Sequence, residues 1–524
     1  MTSEVRQPLR CEVPKPERTV VERARQRVEE ISGNAVYRDR RLSLLTDLYQ
    51  LTMMYGQYRH GRDGQRVVFD LFYRNNPCGN GYVIAAGLEQ VVWYLHNLRF
   101  TDEDIAYLRS LQLFDEDFLD RLRRLRFTGD LYAVPEGTIV FPNEPLLRVE
   151  GPVFELQFVE SAVLSFINHQ SLIATKAQRM VDAARTDRRH PGAKVLEMGL
   201  RRAQNADAAV FGARAAFIGG CAATSNLLAA QAYNIPAVGT MAHSWVQSFP
   251  SELEAFRAYV DTFPDHAVLL VDTYDVLHSG VPNAIQIAHE LAAKGKRLLG
   301  IRIDSGDLAY LSKRARAMLD EAGLYDVGII ASSDLDERTI RELVIQEAEI
   351  TDWGVGTNLI TSSGCPALGA VYKLVAQEAG GYMVPKIKVS ENPAKITNPG
   401  RKQLLRLYVH GYASADLIAL ADETYTTSQP LELFDPVHTY KRKVLREYEM
   451  EPLLTPIYLG GELVYELPDL RAIRRRVEDN ISRFSSEVLR PVNPHIYHVD
   501  LSQPLWELKQ RLLHEWRPQQ TAGE

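Results

Sequence analysis

The segment RLLGIRIDSGDL, residues 297–308, joins an apolar run to a cluster of charged and hydroxyl side chains. Its apolar residues follow one another without strict alternation, which is typical of a strand buried on both faces of a parallel sheet. Seven other apolar runs lie before and after it, separated by helical intervals, and this alternation predicts a parallel sheet covered by helices. In chain order the runs are Ala193–Met198, Ala215–Ile218, Pro236–Val238, Ala267–Val271, Arg297–Ile303, Val327–Ala331, Ile350–Val355 and Val371–Val375.

About eight such units so close together predict an α/β fold with a compact, irregular (β/α) barrel. Enzymes built on such barrels place their active sites at the C-terminal ends of the strands. In this chain those ends are polar, and together they predict an active site at one face of the barrel. The polar ends are Glu197–Arg202, Gly219-Gly220, Gly239–His243, Asp272–Asp275, Arg302–Asp307, Ser332–Asp334 and Gly354–Asn358.

The regions that flank the barrel have different patterns. Apolar residues recur at helical spacing from Leu42 to Arg59, and Phe127–Glu155 has short strand patterns broken by Pro and Gly. After Val375 a Lys- and Pro-rich loop leads to further strand and helix patterns. We therefore expect an N-terminal extension (1–40), an N-terminal α+β domain (41–190), the barrel (191–385) and a C-terminal domain (386–524).

Composition excludes several classes of protein. The 524 residues are 45% hydrophobic and 24% charged, which is typical of a soluble globular protein and excludes disordered or collagen-like chains. The net charge of -7 argues against nucleic acid as a partner. The sequence has no run of about 18 apolar residues, so it predicts no membrane-spanning helix, and the N-terminus lacks the apolar stretch of a secretory signal.

The cysteines also bear on location. Cys11, Cys78, Cys221 and Cys365 lie far apart without a C-x-x-C pair. This spacing predicts neither a zinc cluster nor a disulfide framework. It therefore favours a reducing compartment, and we expect a cytoplasmic protein.

Each polar strand end allows a functional and a structural interpretation. Ser332-Ser333 and Gly354–Thr357 could present N–H groups and hydroxyls to a phosphate, or could be ordinary turns. Arg302–Asp307 could bind an anion, Mg²⁺ or sugar hydroxyls, or could be an exposed loop. His243 could act as a base or a nucleophile, or could be a structural histidine.

One long stretch lacks acidic residues altogether. No Asp or Glu occurs between Asp207 and Glu252, and Arg201, Arg202 and Arg214 lie nearby. This pattern suits a small anionic substrate, although a buried apolar stretch would also produce it. The chain has no G-x-x-x-x-G-K-[ST] loop, so any use of ATP needs another binding mode.

Seven motifs, taken in order, resemble those of the nicotinate phosphoribosyltransferase family, and they run from about Leu42 to Arg406. The motifs are LLTDLYQLTMMYG (44–56), LEMGLRRAQ (196–204), GTMAHSWVQSF (239–249), IRIDSGDL (301–308), GVGTNL (354–359), VYKLV (371–375) and KVSENPAKITNPGRKQLLR (388–406). Met198 is a departure, because the family often has Phe there.

The resemblance implies the type II phosphoribosyltransferase fold, an irregular (β/α) barrel with an N-terminal α+β domain and a C-terminal domain, usually as a homodimer. It implies that nicotinate and 5-phosphoribosyl 1-pyrophosphate give nicotinate mononucleotide and pyrophosphate, coupled to ATP hydrolysis with Mg²⁺. This reaction is the entry step of NAD salvage from nicotinate.

The resemblance also implies residue roles. His243 falls on the family's phosphorylated histidine, which would explain the use of ATP without a P-loop. The implied catalytic residues are His243, Asp304 and Arg302, and the metal ligands stay unassigned. The implied substrate-binding residues are Tyr49, Thr240, Arg201, Arg202, Arg302, Gly356, Thr357, Ser305 and Asp307. Tyr49 could stack on the pyridine ring, from its own subunit or from the other subunit of a dimer.

Two other functions stay open. A nicotinamide phosphoribosyltransferase would need a carboxylate facing the amide, and the acid-free stretch offers none. A non-catalytic barrel that binds a phosphometabolite is disfavoured because His243, Arg302, Asp304 and Thr357 are all present. The segment Leu269–Gly280 superficially resembles the acidic loop of type I phosphoribosyltransferases, but Thr273 stands where a second acid is needed.

Overall fold

The structure is a computed structural model that describes Gln7 and residues 16–515. Its helices are α1 (Arg18–Ser32), α2 (Leu48–Arg59), α3 (Leu88–Asn97), α4 (Asp102–Ser110), α5 (Glu116–Arg123), α6 (Val153–Phe158), α7 (Glu160–Arg185), α8 (Ala206–Ile218), α9 (Leu227–Tyr233), α10 (His243–Gln247), α11 (Glu252–Thr262), α12 (Val281–Ala293), α13 (Leu308–Glu321), α14 (Glu337–Ile345), α15 (Thr357–Ile360), α16 (Leu470–Ser482), α17 (Ser486–Leu489) and α18 (Gln503–Glu515).

The strands are β1 (Arg66–Phe72), β2 (Val83–Ile84), β3 (Asp130–Ala133), β4 (Ile139–Val140), β5 (Leu147–Pro152), β6 (Lys194–Glu197), β7 (Ala223–Thr224), β8 (Val268–Leu270), β9 (Gly300–Ile303), β10 (Gly328–Ser332), β11 (Asp352–Val355), β12 (Val371–Ala379), β13 (Tyr382–Pro385), β14 (Lys402–Val409), β15 (Tyr412–Leu420), β16 (Leu431–Phe434), β17 (Arg442–Leu445), β18 (Glu449–Pro452), β19 (Thr455–Leu459), β20 (Glu462–Leu463) and β21 (Val499–Leu501). Short 3₁₀ turns occur at Pro77–Gly79, Leu200–Arg202 and Pro393–Lys395, and a π turn at Val276–Gly280.

The chain divides into two compact units. The first unit takes in the described parts of Met1–Leu172 and Ala367–Glu524, and the second is Ile173–Pro366. N-terminal and C-terminal segments thus share one unit, because strands from both take part in the same sheet. The division into four domains at the expected boundaries stays a prediction.

The second unit is built on a six-stranded parallel sheet in the order β7-β6-β11-β10-β9-β8. This sheet curls into a half-barrel, and the predicted irregular (β/α) barrel is confirmed. Neighbouring strands are in close register, with Ile303 of β9 next to Ala331 and Ser332 of β10 next to Gly354. Their C-terminal ends therefore meet at one edge of the sheet.

Three of the eight apolar runs, Ala215–Ile218, Pro236–Val238 and Val371–Val375, do not form strands of the parallel sheet. Ala215–Ile218 is the last turn of α8, an Ala-rich helix whose N-cap Asn205 accepts a hydrogen bond from the Ala208 amide at 2.8 Å. Nearly all of α8 is buried, so its sequence has no polar face to distinguish it from a buried strand. Val371–Val375 does form a strand, but β12 pairs antiparallel with β1 in the first unit.

The strand that follows Ala215–Ile218 in the sequence was not predicted. It is β7, which has two residues and pairs in parallel with β6. Pro236–Val238 contributes an isolated parallel bridge between Ala237 and Thr224 and is not a full strand. The parallel sheet therefore has fewer strands than the apolar runs predict.

The first unit contains a seven-stranded sheet in the order β13-β12-β1-β5-β3-β19-β20. A second sheet has the order β18-β14-β15-β21, and two-stranded pairs join β16 to β17 and β2 to β4. The strand pairings in the first sheet are antiparallel, and helices pack beside it, so the expected α+β character is confirmed.

Buried ion pairs lie inside this unit. Lys402 Nζ is 2.8 Å from the Asp70 carboxylate, and both side chains are almost fully buried. The Arg406 guanidinium, fully buried, forms a two-point contact with Asp416. Such pairs need full hydrogen bonding to offset the cost of removing the charges from water.

The cysteines differ from the expectation. Cys221 is a buried free thiol, whereas Cys78 and Cys365 are disulfide-bonded. The expectation of no disulfide is therefore wrong for these two residues. Cys11 lies in the part of the predicted N-terminal extension, residues 1–6 and 8–15, that is outside the described residues, and α1 coincides with the helical pattern expected at Val20–Ile31. Within residues 16–515 no helix is long and apolar enough to cross a membrane.

Candidate active site

Two adjoining cavities lie at the C-terminal ends of the parallel strands in the second unit. The arginine cavity has a volume of about 180 Å³ and is lined by Met198, Arg201, Arg202, Arg302, Asp304, Ser332, Ser333, Asp334, Gly354, Gly356 and Thr357. The histidine cavity has a volume of about 350 Å³ and is lined by Met198, Arg201, Ser225, Gly239, Thr240, Met241, Ala242, His243, Leu270, Arg302 and Asp304. The two cavities share Met198, Arg201, Arg302 and Asp304.

Arg302 is the centre of the shared wall. It lies on β9, and its Nε donates to Ser332 Oγ at 2.7 Å, while Nη2 donates to Asp304 Oδ1 at 2.8 Å. Nη1 lies 3.4 Å from Thr240 Oγ1. The side chain is 13% exposed, so the guanidinium is held in place and still meets both cavities.

Asp304 is held ionised beside it. Burial by itself would raise the pKa of this carboxyl, but the hydrogen bond from Ser332 and the Arg302 charge outweigh burial and lower the pKa below its ordinary value. The Asp304 amide donates to Asp272 Oδ2 at 2.9 Å, and Ser305 Oγ donates to the same oxygen at 2.7 Å. The other oxygen of Asp272 is buried and has no hydrogen-bond partner among the described residues.

His243 begins the short helix α10 and opens onto the histidine cavity. Its Nδ1 lies 3.1 Å from Thr273 Oγ1, within hydrogen-bond distance. Its Nε2 lies 3.9 Å from Asp304 Oδ2, too far for a direct hydrogen bond. One ring nitrogen is thus engaged by the protein and the other is accessible for chemistry.

Arg201 and Arg202 form the cationic rim. Both are exposed on the turn Leu200–Arg202, which follows β6. No hydrogen bond or ion pair joins their side chains to any residue in the described part of the chain. Together with Arg302 they make the arginine cavity a place where an anionic ligand would be held by charge-assisted hydrogen bonds.

A glycine and serine wall closes the arginine cavity. Gly354, the third residue of β11, is tightly packed, since a Cβ there would lie 3.0 Å from Met198 Sδ and 3.1 Å from Ser332 Cβ. Gly356 and Thr357 follow it at the start of α15. Asn358 then fixes the neighbouring loop, because its amide donates to the Asp334 carbonyl at 3.0 Å.

Two residues expected in the site line neither cavity, and a third belongs to the first unit. Asp307 caps α13, where its carboxylate accepts a hydrogen bond from the Tyr310 amide at 3.0 Å, and it lines neither cavity. Ser305 also lines neither cavity, and it acts on the site through Asp272. Tyr49 belongs to the first unit, on α2, and is 49% exposed.

The other expected residues meet at the two cavities: His243, Thr240, Arg201, Arg202, Arg302, Asp304, Gly356 and Thr357. Ser225 also lines the histidine cavity and was not expected. It follows β7, a strand too short to leave a signal in the sequence.

Family models match three consecutive stretches of the chain. The N-terminal domain of nicotinate phosphoribosyltransferase matches residues 44–168, the nicotinate phosphoribosyltransferase family matches residues 193–400, and the C-terminal domain of nicotinate phosphoribosyltransferase matches residues 401–509. The chain belongs to the nicotinate phosphoribosyltransferase family. The resemblance inferred from the motifs is thereby confirmed.

Individual members of the nicotinate phosphoribosyltransferase family are similar to this chain over most of their length. Nicotinate phosphoribosyltransferase of Bacillus subtilis (strain 168) is 48% identical over 483 residues, which is 91% of this chain and 96% of the relative. The Caenorhabditis elegans enzyme of the same name is 36% identical over 527 residues, covering 88% and 92% respectively. The crystal structure of human nicotinic acid phosphoribosyltransferase superposes with a TM-score of 0.79 at 32% identity, covering 89% of this chain and 99% of the human one.

Proposed function

We propose that this protein converts nicotinate and 5-phosphoribosyl 1-pyrophosphate to nicotinate mononucleotide and pyrophosphate, for NAD biosynthesis by salvage, and couples the reaction to ATP hydrolysis. The observation that carries the proposal is the shared wall, where Arg201 and Arg302 meet both cavities and His243 opens onto one of them. Family membership supports the transferase reaction, and the pairing of a cationic cavity with a histidine supports the use of two anionic substrates and ATP.

In the transferase step the pyridine nitrogen of nicotinate attacks C1 of the ribosyl group. The new C–N bond forms as the bond from C1 to the pyrophosphate oxygen breaks, and pyrophosphate leaves with the electron pair. The nucleophile carries no proton at neutral pH, so the protein contributes positioning and charge stabilisation more than proton transfer. Arg302, with Thr240 beside it, would hold the nicotinate carboxylate, and Gly356 and Thr357 would hold a phosphate.

In the coupled step ATP phosphorylates His243. In the tautomer whose Nδ1–H donates a hydrogen bond to Thr273 Oγ1, the lone pair lies on Nε2. This nitrogen attacks the γ-phosphorus. The N–P bond forms as the bond from the γ-phosphorus to the bridging oxygen breaks, and ADP leaves. Water later attacks the phosphorus, the N–P bond breaks with its electron pair returning to the imidazole nitrogen, and inorganic phosphate leaves.

Mg²⁺ fits this site as a companion of the substrate phosphates. Within residues 16–515 no group of three or more His, Cys, Asp or Glu is arranged to hold a metal alone. Asp272, with one buried oxygen that lacks a partner, and the neighbouring Asp304 would supplement phosphate oxygens, which is the usual way proteins bind Mg²⁺. When bound, the ion would neutralise charge on the leaving pyrophosphate.

The lining of the histidine cavity favours nicotinate over nicotinamide. Asp304 is the one acid among the residues that line it, and its carboxylate is already paired with Arg302. A substrate carboxylate would meet Arg302 and Arg201, whereas an amide would find no free carboxylate to accept its N–H groups. We further propose that the enzyme is a homodimer, as the family resemblance implies, and that it is cytoplasmic without nucleic-acid or membrane partners, as the net charge of -7 and the lack of a long apolar run favour.

The proposed reaction is tested by incubating the protein with nicotinate, 5-phosphoribosyl 1-pyrophosphate, ATP and Mg²⁺. Nicotinate mononucleotide, pyrophosphate and ADP are the expected products, separated and quantified by chromatography. Absence of nicotinate mononucleotide would refute the proposal, and its formation without ADP would remove the coupling to ATP.

His243→Ala tests the phosphohistidine. After incubation with γ-labelled ATP, wild type should carry acid-labile, base-stable label, and the variant none, while some transferase activity remains. His278→Ala is a matched control, because His278 is exposed and lines neither cavity. Equal labelling of His243→Ala and wild type, or none in wild type, would disprove the role of His243.

A further inference from the structure

We propose that Glu197 is a positioning residue that holds the turn of Arg201 and Arg202 at the rim of the two cavities. The proposal rests on the proposed function, because it assigns these arginines to an anionic substrate. Glu197 ends β6, is 1% exposed and lines neither cavity, so it acts through other residues.

The Glu197 carboxylate holds the first peptide of the turn. One of its oxygens accepts a hydrogen bond from the Gly199 amide. The Gly199 carbonyl in turn accepts hydrogen bonds from the Arg202 amide at 2.8 Å and the Ala203 amide at 3.1 Å. Both ends of the Gly199 residue are therefore fixed, and the turn that carries the two arginines is built on it.

Close packing at Gly199 also restricts the position of this turn. A Cβ at Gly199 would lie 2.6 Å from Ile360 Cβ and 2.8 Å from Glu197 Oε1. The Arg201 and Arg202 side chains have no hydrogen bond or ion pair to residues in the described part of the chain. Their direction therefore depends on the backbone that Glu197 holds.

The second oxygen of Glu197 links the turn to the neighbouring strand. It accepts a hydrogen bond from Thr224 Oγ1 at the end of β7, and the same hydroxyl oxygen accepts from the Asn226 amide at 3.0 Å. The Glu197 backbone carbonyl accepts from the Ser225 amide at 2.9 Å. Glu197 thus ties the arginine rim to Ser225 in the wall of the histidine cavity.

The role requires a hydrogen-bond acceptor more than a charge. Burial raises the pKa of Glu197, and the hydrogen bonds from Thr224 and Gly199 counter that effect only in part. A glutamine could keep its oxygen towards Gly199 and point its NH₂ group at Thr224, whose hydroxyl oxygen can accept. Glu197→Gln should therefore preserve the turn, whereas Glu197→Ala should release it.

Steady-state kinetics of the full chain test the proposal. Glu197→Ala should raise the KM for nicotinate by about 10-fold to 100-fold, with a smaller fall in kcat, because displaced arginines weaken substrate binding. Glu197→Gln should restore the KM to within about threefold of wild type, since the hydrogen bonds are kept. Thr224→Val, which keeps the side-chain shape and loses the hydroxyl, should give an intermediate KM.

Glu252 provides a matched control. It is also a buried carboxylate of the second unit, 4% exposed, accepts hydrogen bonds from Ser279 and Asn283, and lines neither cavity. Glu252→Ala should lower the Tm as much as Glu197→Ala and leave the nicotinate KM within about twofold of wild type, because it changes stability without moving the turn.

The outcomes are decisive in each case. An unchanged KM in folded Glu197→Ala, or the same KM rise in Glu252→Ala, would show that Glu197 is only structural and would overturn the proposal. A KM in Glu197→Gln as high as in Glu197→Ala would also overturn it, because the acceptor would not suffice. If Glu197→Ala does not fold, Glu197→Gln and Thr224→Val still decide. Failure of wild type to use nicotinate would instead refute the proposed function.

Discussion

Two sets of charged side chains, one in each unit, differ in burial and in their hydrogen-bond partners. In the first unit Arg406 and Asp416 are both 0% exposed and are saturated with partners, since Arg406 also donates to the Ile139 carbonyl and Asp416 also accepts from Tyr497. In the second unit Arg201 and Arg202 are exposed and have no partner within the described residues. Arg302 lies between these extremes, with partners on one side and two cavities on the other.

This difference separates structural charges from functional ones. A buried ion pair stabilises the fold only to the extent that its hydrogen bonds and charge attraction offset the lost hydration of both charges. A binding cation must keep unfilled hydrogen-bonding capacity for the ligand. Substitutions in the first group should therefore lower stability, and substitutions in the second should weaken substrate binding.

The largest effect is expected from Arg406→Leu. It leaves Asp416 buried without its cation, which should lower the free energy of unfolding by about 3–5 kcal/mol. Denaturant unfolding followed by circular dichroism measures the change. At a temperature where the variant is folded, its KM for nicotinate should equal that of wild type. A loss below about 1 kcal/mol would show that the Arg406–Asp416 pair contributes no more to stability than an exposed ion pair does.

Arg302→Ala should show the reverse pattern. Removal of the cation that faces the substrate carboxylate should cost about 2–5 kcal/mol of binding, seen as a large rise in the nicotinate KM. Arg257→Ala is the matched control, because Arg257 forms an exposed ion pair with Glu290 in the same unit. That control should change neither KM nor stability by more than about 1 kcal/mol. An unchanged KM in Arg302→Ala would remove Arg302 from the site.

Asp500 supplies a pH-dependent case in the first unit, as a buried carboxyl without a cation in direct contact. Burial, with the charge of Asp435, raises the pKa of Asp500 to about 7. The ionised form is thus disfavoured in the folded state. The loss of stability caused by ionising Asp500 is therefore absent at pH 4, grows between about pH 4 and 7, and is complete above that. Asp500→Asn should raise the free energy of unfolding at pH 8 by about 2–4 kcal/mol and have little effect at pH 4.

The control for this pH effect is Asp479→Asn, an exposed aspartate on α16 of the same unit. It should leave the free energy of unfolding unchanged at both pH values, because the exposed side chain stays in contact with water in the folded protein. If Asp500→Asn stabilised the protein equally at pH 4 and pH 8, the effect would come from packing and not from ionisation.

The fold could be predicted where the sequence pattern has one physical cause. Long apolar runs with polar ends identified β6, β8, β9, β10 and β11, because only a strand buried on both faces combines them. The Ala215–Ile218 run was wrong because a helix buried all round has no polar face, and β7 is too short to leave a pattern. The disulfide bonding of Cys78 and Cys365 was also missed, because the spacing of cysteines in a sequence does not show which of them are oxidised.

The site could be predicted in part for a similar reason. Strands that end at one edge bring Thr240, His243, Arg302 and Thr357 together, so their convergence follows from the topology. Asp307 could not be assigned, because an aspartate before a helix serves equally as a cap and as a ligand. Glu197 carries no sequence signal of its positioning role, since that role depends on Gly199 and Thr224 across two strands.

The central claim is that the unpaired cations of the second unit select a carboxylate substrate. The most direct test is the kcat/KM of wild type for nicotinate, nicotinamide and quinolinate, each with 5-phosphoribosyl 1-pyrophosphate, ATP and Mg²⁺. We predict that nicotinate is preferred to nicotinamide by at least about 100-fold, because the neutral amide brings no negative charge to the cationic wall of Arg201, Arg202 and Arg302. A preference for nicotinamide or quinolinate would contradict the account.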